Sequence, residues 1–132
     1  MGALSESDVL ALASAAKDAS GRAYCPYSRF PVGAAVRARD GALFAGCNVE
    51  NASFGLTVCA ERNAIFSAVA AGARDLVALV VYTPTPSPVT PCGACRQVLS
   101  EFAPDADVIC VCAGAERLKF KASDLLPNGF TL

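Results

Sequence analysis

Apolar residues recur at the spacing of an amphipathic helix in three segments of the chain. The first runs from Ser5 to a natural stop at Gly21, and its apolar face comprises Val9, Leu12, Ala13 and Ala16. The second covers residues 59–73, with an apolar face of Ile65, Phe66 and Val69, and the third covers residues 92–103, with Val98, Leu99 and Phe102. The pattern therefore predicts three helices.

Five shorter apolar segments predict strands, at residues 32–38, 42–48, 76–83, 107–112 and 117–122. The first two flank Asp40-Gly41, a strong hairpin signal. The third is a continuous apolar run, which is typical of a buried central strand. Only "AGAE" separates the last two, which is too short for a crossover helix, so we expect an antiparallel hairpin there.

The predicted order of elements, α-β-β-α-β-α-β-β, favours an α/β fold. We expect a three-layer α/β/α sandwich with one mixed five-stranded sheet. A chain of 132 residues is the size of one domain, so residues 1–132 are predicted to form a single domain. Four prolines in residues 83–91 predict an irregular, rigid connector before the third helix.

Composition and charge narrow the class of protein. The hydrophobic fraction of 54% against 17% charged residues excludes a disordered chain. The net charge is −1 and no basic run is present, so a small uncharged ligand is favoured over nucleic acid. The first residues, "MGALSESD", lack the pattern of an export signal and no apolar run is long enough for a membrane span, so we expect a cytoplasmic protein with no membrane partner.

Seven cysteines and no histidine dominate the candidate chemistry. Cys92 and Cys95 lie three residues apart in "PCGAC" at the start of a predicted helix, where both sulfurs can reach one metal ion or each other. By itself this pair leaves a redox dithiol and a metal site equally open. The other four cysteines, Cys25, Cys47, Cys110 and Cys112, are interpreted as small buried apolar residues.

Cys59 and Glu61 favour the metal site. At the first residues of a helix both side chains can converge on an ion beyond its N-terminus. Three thiolates with an open fourth position are typical of a catalytic zinc centre, with one zinc per chain and Glu61 as a nearby carboxylate that is not a ligand. Zinc with three thiolates carries a charge of −1, so Arg62 and two helix N-termini would compensate it, with Arg62 hydrogen-bonded to ligand sulfurs.

These motifs resemble a known family. "CAE" at 59–61 and "PCGAC" at 91–95 match the all-cysteine form of the zinc deaminase signature. Together with "PYSRFPVGAA" (26–35), "GCNVENASF" (46–54) and "CAERNAIF" (59–66), they resemble the short cytidine deaminases that act on free nucleosides. The resemblance covers nearly the whole chain.

The resemblance implies a role for each matching residue. Cys59, Cys92 and Cys95 would bind zinc and Glu61 would transfer protons. Six further positions would bind or enclose the substrate: Phe30 against the pyrimidine ring, Asn48 and Glu50 at the ribose hydroxyls, the Ala60 amide at the base, and Phe54 and Phe130 as parts of a lid. The short form is a homotetramer in which neighbouring chains help to close each site.

The predicted function is zinc-dependent hydrolytic deamination of cytidine and 2′-deoxycytidine to uridine and 2′-deoxyuridine with release of ammonia, in pyrimidine salvage. Three alternatives stay open on the sequence. One is a deaminase of a cytosine nucleoside antibiotic of the blasticidin type. Another is a dithiol redox protein that uses Cys92 and Cys95. The third is a structural zinc module, which would need Glu61 as a fourth ligand.

Overall fold

A computed structural model describes residues 4–132; Met1 to Ala3, part of the segment inspected for an export signal, lie outside the described residues. The helices are α1 (Glu6–Ser20), α2 (Ala60–Ala70) and α3 (Gly93–Phe102). The strands are β1 (Gly33–Ala38), β2 (Leu43–Cys47), β3 (Leu76–Tyr82), β4 (Asp107–Val111) and β5 (Leu118–Lys121). Two 3₁₀ turns cover Phe54–Leu56 and Ala122–Leu125. The three helices and five strands occur in the predicted order.

The five strands form one mixed sheet in the order β2-β1-β3-β4-β5. β1 pairs antiparallel with β2 and with β3, and β3 pairs parallel with β4 across the α3 crossover. β4 and β5 pair antiparallel, as the short "AGAE" connection predicts. β3 is central and almost entirely buried, which confirms the interpretation of its apolar run.

Alternate residues of the strands bury opposite faces of the sheet, as the twofold repeat of a strand requires. On one face Ala35, Val80 and Ile109 pack with Leu12 and Ala16 of α1. On the other face a larger core joins the sheet to α2 and α3 through Ile65, Leu79, Val81, Leu99 and Val108. The three-layer α/β/α sandwich is therefore confirmed. None of the helices in the described part of the chain has the length and hydropathy to cross a bilayer.

Local signals fix the ends of the first elements. The Ser5 hydroxyl accepts a hydrogen bond from the Asp8 amide at 3.1 Å, and the Asp8 carboxylate accepts one from the Ser5 amide, which forms a capping box at the start of α1. Gly41 has φ +98° in the β1–β2 turn, a conformation that glycine adopts without strain. The hairpin predicted at Asp40-Gly41 is confirmed.

One part of the predicted core is wrong. Phe66 was expected on the buried face of α2, but it is 44% exposed. The buried face of this helix consists mainly of small residues: Ala60, Glu61, Ala64, Ile65 and Ala68. The reason is the close approach of β2, where Gly46 lies so near the α2 backbone that no large side chain fits between the two elements.

Candidate metal centre and active site

Both cysteine motifs lie at helix N-termini beside the C-terminal end of β3. Cys59 caps α2 and Cys92 caps α3, each with an extended backbone conformation. Neither cysteine side chain makes the hydrogen bond to the helix amides that a capping residue usually makes. Their sulfurs are therefore free to act together in front of the two helices.

The three predicted ligand sulfurs converge. Sγ of Cys59 lies 3.8 Å from Sγ of Cys92, and Sγ of Cys92 lies 3.5 Å from Sγ of Cys95. All three lie within 4.8 Å of one another. Zn–S bonds of about 2.3 Å in a tetrahedron place sulfurs about 3.8 Å apart, so the spacing fits one zinc ion. All three are free thiols, and 3.5 Å is far beyond the length of a disulfide bond.

The electrostatics around Cys59 favour a thiolate. A hydrogen bond from Cys95 and another from Arg62 lower the pKa of Cys59 to about 5, although burial opposes the shift. The Nη2 atom of Arg62 lies 3.3 Å from Cys59 Sγ. The pKa of Cys95 is raised, first because its thiol is hydrogen-bonded to Cys59 and then because it is buried. A negative charge is therefore stabilised at the metal position by the chain itself, and zinc binding would deprotonate the remaining thiols.

Glu61 is a buried carboxylate beside this cluster. Its side chain is 6% exposed, and burial raises its pKa to about 7. A carboxylate with a pKa near neutrality can both accept and donate a proton under physiological conditions. Within residues 4–132, the metal-ligating groups that converge here are the three cysteines and do not include Glu61. The cluster is thus a three-sulfur site with an open position, and not the closed four-ligand site of a structural zinc module.

A cavity of about 280 Å³ opens in front of the cluster. Six of the predicted site residues line it together with Cys92: Phe30, Asn48, Glu50, Cys59, Ala60 and Glu61. Cys95, the third member of the cluster, is fully buried and does not line the cavity. Phe54 and Phe130 are not among the lining residues, and their side chains are 75% and 69% exposed. The chain therefore brings the predicted substrate-binding residues together at one cavity, except for the two aromatic lid positions.

Comparison with known proteins identifies the family of the chain. Residues 6–112 match the sequence model described as the cytidine and deoxycytidylate deaminase zinc-binding region. The chain belongs to this deaminase family.

Individual relatives agree with the family. A cytidine deaminase of Halalkalibacterium halodurans is 51% identical over 110 residues, which is 83% of each chain. A cytidine deaminase of Sporosarcina psychrophila is 54% identical over 95 residues, 72% of this chain and 70% of that one. The crystal structure of cytidine deaminase from Burkholderia pseudomallei superimposes with a TM-score of 0.89 at 50% identity, covering 92% of this chain and 98% of that one. A blasticidin-S deaminase of Bacillus cereus is more distant, at 34% identity over 108 residues and 76% of each chain.

Membership of the deaminase family bears on the alternatives left open by the sequence. A zinc-binding region over most of the chain, with three converging sulfurs, favours the metal site over a two-cysteine redox site. The blasticidin type remains the distant alternative, since its relative is less similar than the cytidine deaminases.

The wall of the cavity that carries Phe30, Asn48 and Glu50 is organised by hydrogen bonds. The Asn48 side chain accepts from the Val32 amide at 2.9 Å and donates to the Phe30 carbonyl at 2.9 Å. Asn48 therefore holds the backbone on both sides of Pro31, and it is 8% exposed. In this deaminase the residue has a structural task that the motif alone did not reveal.

Sequence reasoning missed Ser28 and Arg96. Ser28 lines the cavity and contacts Glu50. Arg96, on α3, donates to the Pro91 carbonyl at 2.7 Å, the Thr90 hydroxyl at 3.1 Å and the Leu125 carbonyl at 3.2 Å, and so ties the loop before Cys92 to the C-terminal segment. Ser28 lies within "PYSRFPVGAA" and Arg96 directly follows "PCGAC", but a linear pattern does not identify their distant acceptors.

The remaining cysteines are partly as expected. Cys110 and Cys112 are buried, and burial raises the pKa of Cys110 to about 12. Cys25 and Cys47 are only half-buried, so their predicted burial is wrong in degree.

A second and larger hollow, of about 550 Å³, lies at the opposite end of the sheet. Six of its seven charged residues form ion pairs, namely Arg37 with Asp8 at 3.4 Å, Arg39 with Asp75 and Lys121 with Asp107 at 3.0 Å. These charges are already satisfied, so the smaller cavity with the sulfur cluster is the candidate active site.

Proposed function

We propose that this protein catalyses the hydrolytic deamination of cytidine and 2′-deoxycytidine to uridine and 2′-deoxyuridine with release of ammonia. The observation that carries the proposal is a buried carboxylate, Glu61, beside a three-sulfur site that opens into a cavity of nucleoside size. Water supplies the oxygen that replaces the amino group at C4 of the base.

Cys59, Cys92 and Cys95 would hold the zinc ion. When bound, zinc lowers the pKa of a coordinated water toward neutrality and so supplies a nucleophile that free water cannot. Glu61 is the proton carrier of the chain in this proposal. Its carboxylate takes a proton from water, delivers it to N3 of the cytosine ring, and relays a further proton to the departing amine, for which a pKa near 7 is well suited.

The other cavity residues position the nucleoside. Phe30 packs against the pyrimidine ring, the Ala60 amide contacts the base, and Asn48 and Glu50 bind the ribose hydroxyls. Glu50 accepts three hydrogen bonds from the chain and faces the cavity as a carboxylate, which favours ligand hydroxyls as donors. No lysine or arginine is among the lining residues, and a phosphate beside Glu50 would be repelled, so a nucleoside is favoured over a nucleotide.

Zinc-loaded protein should convert cytidine with loss of its ultraviolet absorbance and release of ammonia. Glu61→Gln should keep the zinc content and the fold but reduce kcat by about 10²–10⁴, the usual worth of a positioned acid–base group. Glu101→Gln, on the exposed side of α3, is the matched control and should behave like the wild type. Substantial turnover in Glu61→Gln would contradict the assignment.

The same assay separates the two deaminase types. We expect turnover of cytidine to exceed turnover of blasticidin S by a wide margin, in line with the higher identity of the cytidine deaminases. The reverse preference would favour the alternative.

The proposal includes a homotetramer in the cytoplasm, with neighbouring chains completing each site. The exposed aromatic side chains of Phe54 and Phe130 support shared sites, since large apolar groups left on a surface often mark contacts between chains. Light scattering on a sizing column should give four times the mass of one chain. A monomer with full activity would contradict this part of the proposal, and fractionation of cells tests the compartment.

A further inference from the structure

The Ser28 hydroxyl connects two residues of the cavity wall. It accepts a hydrogen bond from the Phe30 amide at 3.0 Å and donates one to Oε2 of Glu50. Ser28 thus stands between the residue proposed to pack against the base and the residue proposed to bind the sugar. It lines the cavity itself, at the edge nearest Glu50.

The Ser28 hydroxyl is a hydrogen-bond donor to Glu50. The hydroxyl oxygen accepts a hydrogen bond from the Phe30 amide, and its own proton is donated to the Glu50 carboxylate. The other oxygen of Glu50, Oε1, accepts from the amides of Tyr27 at 3.0 Å and Ser28 at 3.1 Å. Three donors from two adjacent residues therefore fix the orientation of the carboxylate, and they favour its ionised form.

The local backbone is shaped to make these contacts. Arg29 has φ +57°, a left-handed conformation, and its amide donates to the Cys25 carbonyl at 2.9 Å. This turn brings the Ser28 hydroxyl back over the amide two residues later, a serine turn. The pKa of Glu50 is lowered, with the hydrogen bond from the Ser28 side chain as the largest cause. An ionised Glu50 can only accept hydrogen bonds, so sugar hydroxyls must donate to it.

We propose that Ser28 is a positioning residue for sugar recognition: its hydroxyl orients the Glu50 carboxylate as an acceptor for the hydroxyl groups of the nucleoside. Ser28 does not touch the reacting atoms in this proposal, so it governs binding and not the chemical step. The inference rests on the proposed function, because it assigns a sugar to the Glu50 side of the cavity.

The test compares Ser28→Ala, Ser28→Thr and a control, Ser14→Ala, in the zinc-loaded protein. Ser14 is exposed on α1, away from the cavity. The substrates are cytidine and 2′,3′-dideoxycytidine, which lacks the 2′ and 3′ hydroxyls of the sugar and keeps the 5′ hydroxyl. Ser28→Ala should raise the KM for cytidine about tenfold, the scale of a hydrogen bond to a charged group weakened by exposure to water, with kcat within about twofold. The kcat/KM for dideoxycytidine should change by less than about twofold.

Two further results sharpen the test. Ser28→Thr, which keeps the hydroxyl, should restore most of the affinity for cytidine. In a Glu50→Ala background, Ser28→Ala should cause no further loss, because the hydroxyl then has no carboxylate to orient. Equal losses on the two substrates, an unchanged KM in Ser28→Ala, or an undiminished effect in the Glu50→Ala background would overturn the proposal. Failure of the proposed function is distinguishable, since the zinc-loaded wild type would then release no ammonia from cytidine.

Discussion

The contact between β2 and α2 gives a sharp test of how the fold positions the metal centre. A Cβ atom added at Gly46 would lie 2.4 Å from the Ala64 nitrogen and 2.7 Å from the Asn63 carbonyl carbon. Ordinary contacts of a Cβ atom are 3.4–4 Å, and both of these neighbours are backbone atoms that cannot rotate away. Gly46→Ala must therefore move the strand and the helix apart by about 1 Å.

The cost follows from this overlap. Overpacking of a core costs about 1–3 kcal/mol, and we expect the upper end because neither backbone can give way locally. A loss of about 3 kcal/mol lowers Tm by roughly 10 °C in a domain of this size. The side chain of Asn63 also donates to the Cys47 carbonyl at 2.8 Å, so the same movement strains a second link between β2 and α2. Since Cys59 caps α2, the affinity for zinc should fall as well.

The measurement is urea unfolding of the zinc-free and zinc-loaded protein, with zinc affinity from competition with a chelator. Gly55→Ala is the matched control, because an added Cβ there meets nothing within 4 Å. We expect Gly55→Ala to stay within about 0.5 kcal/mol of the wild type. If Gly46→Ala is as stable and binds zinc as tightly as Gly55→Ala, the argument that the β2–α2 contact sets the position of Cys59 is wrong.

Three further predictions test individual contacts. Arg62→Gln should weaken zinc binding about 10- to 100-fold in chelator competition, because the guanidinium beside Cys59 is lost; unchanged affinity would count against its role. Arg96→Met should lower the unfolding free energy by about 2 kcal/mol in urea, since three acceptors of the loop and the C-terminal segment lose their donor; a neutral effect would show that they are satisfied without it. The pKa of Asp8 is lowered from 3.8, first by the hydrogen bond from the Ser5 amide, so its contribution to stability is present above pH 3.8 and lost as the pH falls through the lowered pKa. Acid titration of Ser5→Ala and Asp8→Asn by circular dichroism should therefore show a smaller loss of stability between about pH 4 and 2 than in the wild type. Identical curves would refute this.

The elements that sequence reasoning predicted well are those with a strong local cause. The α1 capping box, the Asp40-Gly41 turn and the apolar run of β3 each depend on neighbours in the chain. The sulfur cluster is local in part, because Cys59 and Cys92 each cap the N-terminus of a helix. The short motifs imply the two capping positions, whereas the 3.8 Å separation of the two sulfurs, which are 33 residues apart in sequence, depends on the packing of α2 beside α3.

The features that were missed depend on contacts between distant segments. Glu50 accepts a hydrogen bond from the Ser28 hydroxyl, 22 residues away in sequence, and Arg96 donates one to the Leu125 carbonyl, 29 residues away. Phe66 was misplaced because α2 is rich in alanine, so its apolar pattern does not distinguish the face that meets Gly46 from the face that meets solvent. The roles of Phe54 and Phe130 stay predictions, since both side chains are exposed and neither is among the residues that line the cavity of their own chain.

The distribution of charge around the cavity links the metal chemistry to the choice of ligand. Three thiolates and a zinc ion sum to −1, which Arg62 offsets by one charge and the N-termini of α2 and α3 offset by about half a charge each. Those positive groups lie on the sulfur side, whereas the opposite wall presents the Glu50 carboxylate with three donors already committed to it. A ligand that spans the cavity is therefore favoured when it offers hydroxyl protons to Glu50 and carries no negative charge beside it. A cytosine nucleoside meets both conditions, whereas a phosphate on the sugar would place a second negative charge near Glu50.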